Sequence, residues 1–319
     1  MTVRSHVDTF ADRTVVQVPE DGPLPAVDGP VAWRIDAHDW NDSTGDAVLS
    51  PGFQAAFARF LDRADEAGEA VEALVVGSWG YAAFNYAPIA QLCDAAERLP
   101  HLEALFLGDI VSEECEISWM KVGDVSPLLT AYPALEVLRV RGGEDFGFSP
   151  VRHEGLRRLE VQSGGLAPDF VRAVLDSELP ALEELELWLG TPEYGGDTTV
   201  DDLTPLLAGD LFPELRRLAL RNAEIADDLA EALASAPVVR RLAALDLSLG
   251  TLGDRGALAL AGGQPLTHLG KLDLHHHYVS EETVTAVKAA LPGVWVDLSD
   301  PQEEDEDDGE AYRYTAVSE

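Results

Sequence analysis

The chain has little positive charge. Its 319 residues carry 22 Lys+Arg against 58 Asp+Glu, a formal net charge of −36. Lysine is almost missing, with Lys121, Lys271 and Lys288 its whole complement. A phosphate-binding surface needs a basic face, so this balance argues against nucleic acid as the main ligand. It argues equally against docking to anionic lipid. Cysteine is also scarce. Cys93 and Cys115 cannot build a disulfide framework, and Cys93 lies on the apolar side of a helical pattern, where a small buried side chain is expected. No run approaches the ~18 apolar residues of a membrane span, and Met1–Asp8 lacks the apolar centre of a signal peptide. The expectation is a soluble cytoplasmic protein.

Catalytic motifs are absent too. There is no G-x-x-x-x-G-K-[ST] phosphate loop, no H-E-x-x-H and no G-x-S-x-G elbow. Gly77-Ser78-Trp79-Gly80 has the wrong spacing for an elbow and reads as a turn. The 46% hydrophobic content is ample for a large core, so disorder is not the reason for these gaps.

What is present is a repeat. The phrase L-x-x-L-x-L, with apolar variation, starts at Val71, Leu102, Leu135, Leu156, Leu182, Leu215, Leu242 and Leu269. The steps are 31, 33, 21, 26, 33, 27 and 27 residues, a mean near 28. A proline often precedes the phrase, as in Leu99-Pro100, Tyr132-Pro133, Leu179-Pro180 and Phe212-Pro213, which stops a helix before the next strand begins. Asp124-Val-Ser-Pro127-Leu-Leu echoes Asp202-Leu-Thr-Pro205-Leu-Leu. Most spacers read as helices. Ser50-Pro51 opens one with Phe53, Phe57, Phe60, Leu61 and Ala64 on one face, and Pro168, Ile225 and Ser280 open or mark others. The 21-residue step leaves no room for a full helix, so Phe146–Pro150 is expected to be an irregular loop. Strand, turn, helix and return, joined by right-handed crossovers, stack strands in parallel.

This pattern resembles the leucine-rich repeat family, in particular its long ribonuclease-inhibitor-like repeats, over about Val71–Val296, and more closely a bacterial family of such proteins. The resemblance implies an α/β leucine-rich-repeat solenoid, a horseshoe with a curved parallel sheet and helices on the convex side. The position that usually holds Asn or Cys is here Trp79, Ile110, Gly143, Gly164, Gly190, Ala223, Gly250 and His277, so the usual side-chain ladder is expected to be absent. Residues 1–30 read as an N-terminal extension, 31–299 as the solenoid with capping units, and 300–319 as an acidic tail. Val31–Asp36 is expected to be the capping strand, Pro292–Asp297 the final one. Eight acids in Asp300–Glu310 predict disorder, after which Ala311–Val317 can fold back as an edge strand.

Strand alternation assigns the concave face. It should present Val75/Gly77, Phe106/Gly108, Arg139/Arg141, Glu160/Gln162, Glu186/Trp188, Ala219/Arg221, Asp246/Ser248 and Asp273/His275. Arg139 should pair with Glu160 across one strand gap, and Trp188 should stack on Arg221. The expected partner contacts are Arg139, Arg141, Glu160, Glu186, Trp188, Arg221, Asp246, Asp273 and His275. A non-enzymatic scaffold binding a basic protein is the leading expectation, with no cofactor. The alternative is a metal-dependent protein using the Asp246/Asp273/His275 corner, since His and carboxylate are suitable ligands. Three ligands fall short of the four of a structural zinc, so no bound metal is expected. Asp246 and Asp273 are expected to repel, and Asp273→Asn to leave stability unchanged or raise it.

Overall fold

The computed structural model describes residues 3–37, 50–307 and 310–318. Its contacts group into two compact units: Val3–Gln162 with Ser177–Leu179, and Ser163–Asp176 with Pro180–Ser318.

The first unit contains β1 (Thr9–Phe10), β2 (Arg13–Gln17), β3 (Val31–Ala37), α1 (Pro51–Ala67), β4 (Ala73–Trp79), α2 (Ile89–Asp94), β5 (Ala104–Leu107), α3 (Ser126–Ala131), β6 (Val137–Arg141) and β7 (Arg158–Gln162). From β2 to β7 each strand pairs in parallel with the next, and β1 pairs antiparallel with β2. Strands begin two residues after the leading apolar residue of each phrase. That residue, as at Leu102 and Leu135, is fully buried ahead of the strand. Val31–Ala37 is therefore an interior strand and not the cap, because β2 continues the sheet beyond it.

Helix α1 forms as its pattern predicts. Ser50 accepts from the Phe53 amide at 3.3 Å, Pro51 occupies the first turn, and the five expected apolar residues are buried. The short spacer between β6 and β7 holds no helix; it is an irregular loop that turns at Asp145, φ +54°, and makes isolated bridges from Glu144 to Lys121 and from Gly147 to Asp124.

The second unit contains α4 (Pro168–Leu175), β8 (Glu184–Gly190), α5 (Thr204–Leu207), β9 (Arg217–Ala223), α6 (Ala226–Leu233), β10 (Ala244–Asp246), α7 (Asp254–Gly262), β11 (Lys271–Asp273), α8 (Glu281–Ala290), β12 (Trp295–Asp297), β13 (Asp305–Asp307) and β14 (Glu310–Tyr312). Strands β8 to β12 pair in parallel in chain order, with Leu185, Leu218, Leu245 and Leu272 in register. Each unit is thus an α/β leucine-rich-repeat solenoid.

The regular ladder is absent, with Ile110, Gly143, Gly164, Gly190, Ala223 and Gly250 at its position, but other side chains bond the turns in its place. His277, 1% exposed, faces the Leu298 carbonyl at 3.1 Å and receives the Val279 amide at 3.0 Å. One position earlier, Asn222 is fully buried and bonds the Ser163 carbonyl, while Ser78 and Ser163 donate to the Gly80 and Gly165 carbonyls. Asn222, Leu249 and His276 share a positive φ, which turns the chain out of successive strands. The acidic tail, expected to be disordered, is not formless in its described part. Strands β13 and β14 form an antiparallel hairpin, and residues 313–317 fold back without joining the sheet. Residues 308–309 lie outside the described residues.

Aspartates join successive repeats. Asp227 Oδ1 accepts the Gly253 and Gly256 amides at 2.8 and 3.0 Å, and Asp254 accepts the Ser280 amide and hydroxyl, both at 2.8 Å. These carboxylates satisfy amide donors at the start of the next repeat's helix.

Candidate partner-binding face

In the second unit, period-two alternation sets side chains on one sheet face in three rows. The first row is Glu184, Arg217, Ala244, Lys271 and Trp295; the second is Glu186, Ala219, Asp246, Asp273 and Asp297. The third is Trp188, Arg221, Ser248, His275 and Ser299, two residues further along the chain and, for the last three, just past the ends of β10, β11 and β12. Lateral pairs lock the rows. Arg217 reaches Glu184 at 3.0 Å, and Arg221 reaches Glu186 at 3.1 Å and Asp246 at 3.5 Å. Burial alone would lower the Arg221 pKa, but Glu186 and Asp246 overcome it and raise it.

The expected Trp188–Arg221 stack exists, with the guanidinium 5.4 Å from the ring. Yet Trp188 is only 6% exposed and its indole N–H donates to Glu186 at 2.7 Å, so the pair satisfies itself. The exposed aromatic that sequence reasoning missed is Trp295, 58% exposed beside the Lys271 ammonium at 4.8 Å from the ring. Its signal was available. Trp295 and Asp297 alternate in register with Lys271 and Asp273, but this strand lacks the leading leucine of the repeat phrase.

The Asp246/Asp273/His275 corner is organised differently from expectation. Asp273 Oδ1 lies 2.7 Å from His275 Nδ1 and accepts the His275 amide at 3.1 Å; Oδ2 lies 2.8 Å from Lys271. Burial pushes this carboxyl up, but the bonds from His275 and Lys271 outweigh it and hold the group well below the ordinary range. The hydrogen bond to Asp273 in turn raises the His275 pKa against burial. Asp246 is raised, by burial first and by the Asp273 charge, against the pull of Arg221. Asp273→Asn would relieve that repulsion, but it would also weaken the acceptor at the centre of this cluster, and the two effects oppose one another. Among the described residues, the atoms that lie within 4.8 Å of one another and suit a metal belong to Asp273, His275 and Asp297, with Asp297 in the place expected for Asp246.

In the first unit the corresponding face is covered. Phe10 packs with Ala32, Ala73, Val75, Ala104 and Phe106 in a buried cluster, joined by Val7, Ala11 and Val15. The N-terminal segment is held by Asp109, fully buried, which pairs with Arg34 at 2.9 Å and accepts the Val7 amide at 3.3 Å. Arg139 pairs with Glu160 and lies over the Phe10 and Phe106 rings at 5.4 and 5.1 Å. Arg141 is 5% exposed, donates to Gln162 and the Ile110 carbonyl, and is lowered to about 10 by burial. The structure thus buries Arg141, Glu160, Trp188 and Asp273, and leaves Arg139, Glu186, Arg221, Asp246 and His275 part-exposed. No sequence signal ties Asp109 to Arg34, which are 75 residues apart.

No helix among the described residues is long and apolar enough to cross a membrane. No sequence-family profile and no curated protein matches the chain. Among solved structures, an internalin from Listeria monocytogenes aligns over 72% of this chain and 55% of its own, at 13% identity and a TM-score of 0.34. A protein from Bacteroides fragilis aligns over 75% of this chain and 72% of its own, with a TM-score of 0.68 and 31% identity. At that identity and coverage, the chain belongs to the same family as the Bacteroides fragilis protein.

Proposed function

We propose that this protein is a non-enzymatic scaffold that holds a basic protein partner on the sheet face of the second unit. The observation that carries this reading is the set of three rows just described. Acid, base and aromatic side chains stand on adjacent strands, each fixed by its neighbours, with Trp295 exposed at one end. Aromatic and arginine side chains on a rigid, pre-ordered surface are what protein interfaces use as anchors. The charge of −36 favours a basic partner and speeds its capture. It disfavours nucleic acid and anionic lipid. Both cysteines are free, which suits a reducing compartment, and the cytoplasm is the proposed location.

Affinity capture from the native host, run in parallel with Trp295→Ala and Arg221→Glu proteins, tests the reading. A basic protein retained by the parent chain and lost from both variants supports it. Equal retention by all three removes the sheet face from the account. Elemental analysis of untagged protein tests the metal-dependent alternative. About one zinc, iron or manganese per chain, lost on replacing Asp297 or His275, replaces the scaffold reading with a metal site.

A further inference from the structure

Residues 313–317 lie in a groove along the turns that follow β9, β10 and β11. Thr315, Ala316 and Val317 are 7%, 6% and 3% exposed. The segment pairs with no strand; side chains and turn carbonyls hold it instead. The Asn222 amide grips the Val317 backbone from both sides, its oxygen accepting the Val317 N–H at 2.9 Å and its nitrogen donating to the Val317 carbonyl. The Ala316 N–H donates to the Leu249 carbonyl at 2.8 Å. The Tyr278 hydroxyl accepts the Tyr314 N–H at 2.8 Å and donates to the Tyr314 carbonyl at 3.0 Å. Arg313 donates to the Thr251 carbonyl at 3.3 Å, pairs with Glu304 at 2.7 Å, nears Asp227 at 3.6 Å, and lies over the Tyr278 ring at 5.5 Å. A Cβ on Gly253 would stand 2.2 Å from the Arg313 guanidinium, so that glycine makes room for the arginine.

These contacts read backbone and one cation, which is how an extended peptide is recognised. The segment is tethered by a weak element. Hairpin β13–β14 is two-stranded, with three residues in each strand. Beside Arg313 lies an open depression of about 420 Å³, lined by Glu224, Thr251, Glu304, Ala311, Tyr312 and Arg313. Glu224 on that wall would gain a partner from a second cation in an incoming chain.

We infer that this groove is a binding site for an extended, basic protein segment, filled in this structure by the chain's own residues 313–317. The partner segment offers an arginine at the Arg313 position, small or β-branched residues where Thr315–Val317 lie, and a further cation toward Glu224. It enters by displacing the chain's own segment, so the site is self-blocked until a stronger competitor arrives. This surface is separate from the sheet face of the proposed function, and the variants that test each are different.

The test uses the full chain with a protease recognition sequence inserted after Asp308, cleaved under native conditions. The freed fragment should stay bound and exchange with a labelled 310–319 peptide added in excess, read by fluorescence anisotropy and native mass spectrometry. A peptide carrying Val317→Asp should not displace it. Asn222→Ala in the protein should weaken the peptide about tenfold or more, the equivalent of one to two hydrogen bonds. Labelled peptide that fails to bind the emptied protein overturns the proposal. So does loss of secondary structure when the fragment leaves, which makes the segment a structural cap. The intact chain gives a second reading by hydrogen exchange of Tyr278→Phe, which removes both hydroxyl bonds to Tyr314 from outside the strands. Residues 314–317 should exchange about tenfold faster while β9–β11 keep their protection. Acceleration of both together overturns the proposal.

Discussion

Asp273 shows how far a single residue's environment decides its contribution. It is 4% exposed and accepts from Lys271, His275 and the His275 backbone amide. Hydrogen bonds to a charged group contribute about 1.5–3 kcal/mol, so Asp273→Asn should destabilise the protein by about 2 kcal/mol in urea denaturation. The pH dependence follows from two shifts of opposite sign. The Asp273 pKa is depressed, so its contribution is present above the unfolded value of about 3.9 and is lost as pH falls through the folded one. The His275 pKa is raised, so its contribution is present below about 6.5 and is lost as pH rises through the folded value. The gap between parent and variant should therefore be larger at pH 5.5 than at pH 9. A gap that grows toward pH 9 contradicts the pairing. Alternation along L-x-x-L-x-L placed this carboxylate on the correct face and in register with Asp246. It could not show that Lys271, two residues earlier, would bend over it and turn a repulsive neighbour into a satisfied one.

At the scale of elements, the repeat phrase was a strong guide because its physical content is local. Leucines at strand positions must point inward, and Leu185, Leu218, Leu245 and Leu272 do, each no more than 1% exposed. Leu218→Asp buries an unpaired charge there and should cost more than 4 kcal/mol, leaving little soluble protein. Recovery of a soluble variant with an unchanged melting curve would contradict the buried register. Turn geometry was less legible, because it rests on contacts between distant turns. Gly190 has φ +71°, and a Cβ there would lie 1.9 Å from the Gly164 carbonyl oxygen. Gly195 has φ +84° with nothing within 4 Å. Both glycines avoid the left-handed penalty of about 1 kcal/mol, but only Gly190 also avoids a backbone clash. Gly190→Ala should therefore lower the melting temperature clearly more than Gly195→Ala, and equal shifts would mean that φ alone matters. Thr14–Val18 reads as a short strand in the sequence and β2 forms there, but the place of the N-terminal strands on the sheet was the other gap. Phe10 and Val15 carry no repeat signature, and their place on the face depends on small residues at Ala32, Ala73 and Ala104 that lie in three different strands.

At the scale of the whole chain, −36 is far more charge than local pairing absorbs. Asp124, Asp202, Asp227 and Asp254 act as caps between or within repeats, and their bonds survive salt because the partners touch. The remaining acids repel one another over longer distances, and salt shortens that reach from about 30 Å at 0.01 M to about 8 Å at 0.15 M. Stability should therefore rise over this range, seen as a higher melting temperature. Capture of a basic partner should respond in the opposite direction, its association rate falling with salt while dissociation changes little. The acidic hairpin separates steering from structure. Deleting residues 300–310 would also remove Glu304, which pairs with Arg313, and so would disturb the docked segment. Glu303→Gln with Glu306→Gln removes two charges from the acidic segment and leaves that pair in place. The double variant should slow association with the captured partner, with the largest effect at low salt and almost none at 0.5 M. An association rate that ignores both salt and these two substitutions would reduce the acidity to a solubility feature, and the sheet face would then have to attract its partner by contact alone.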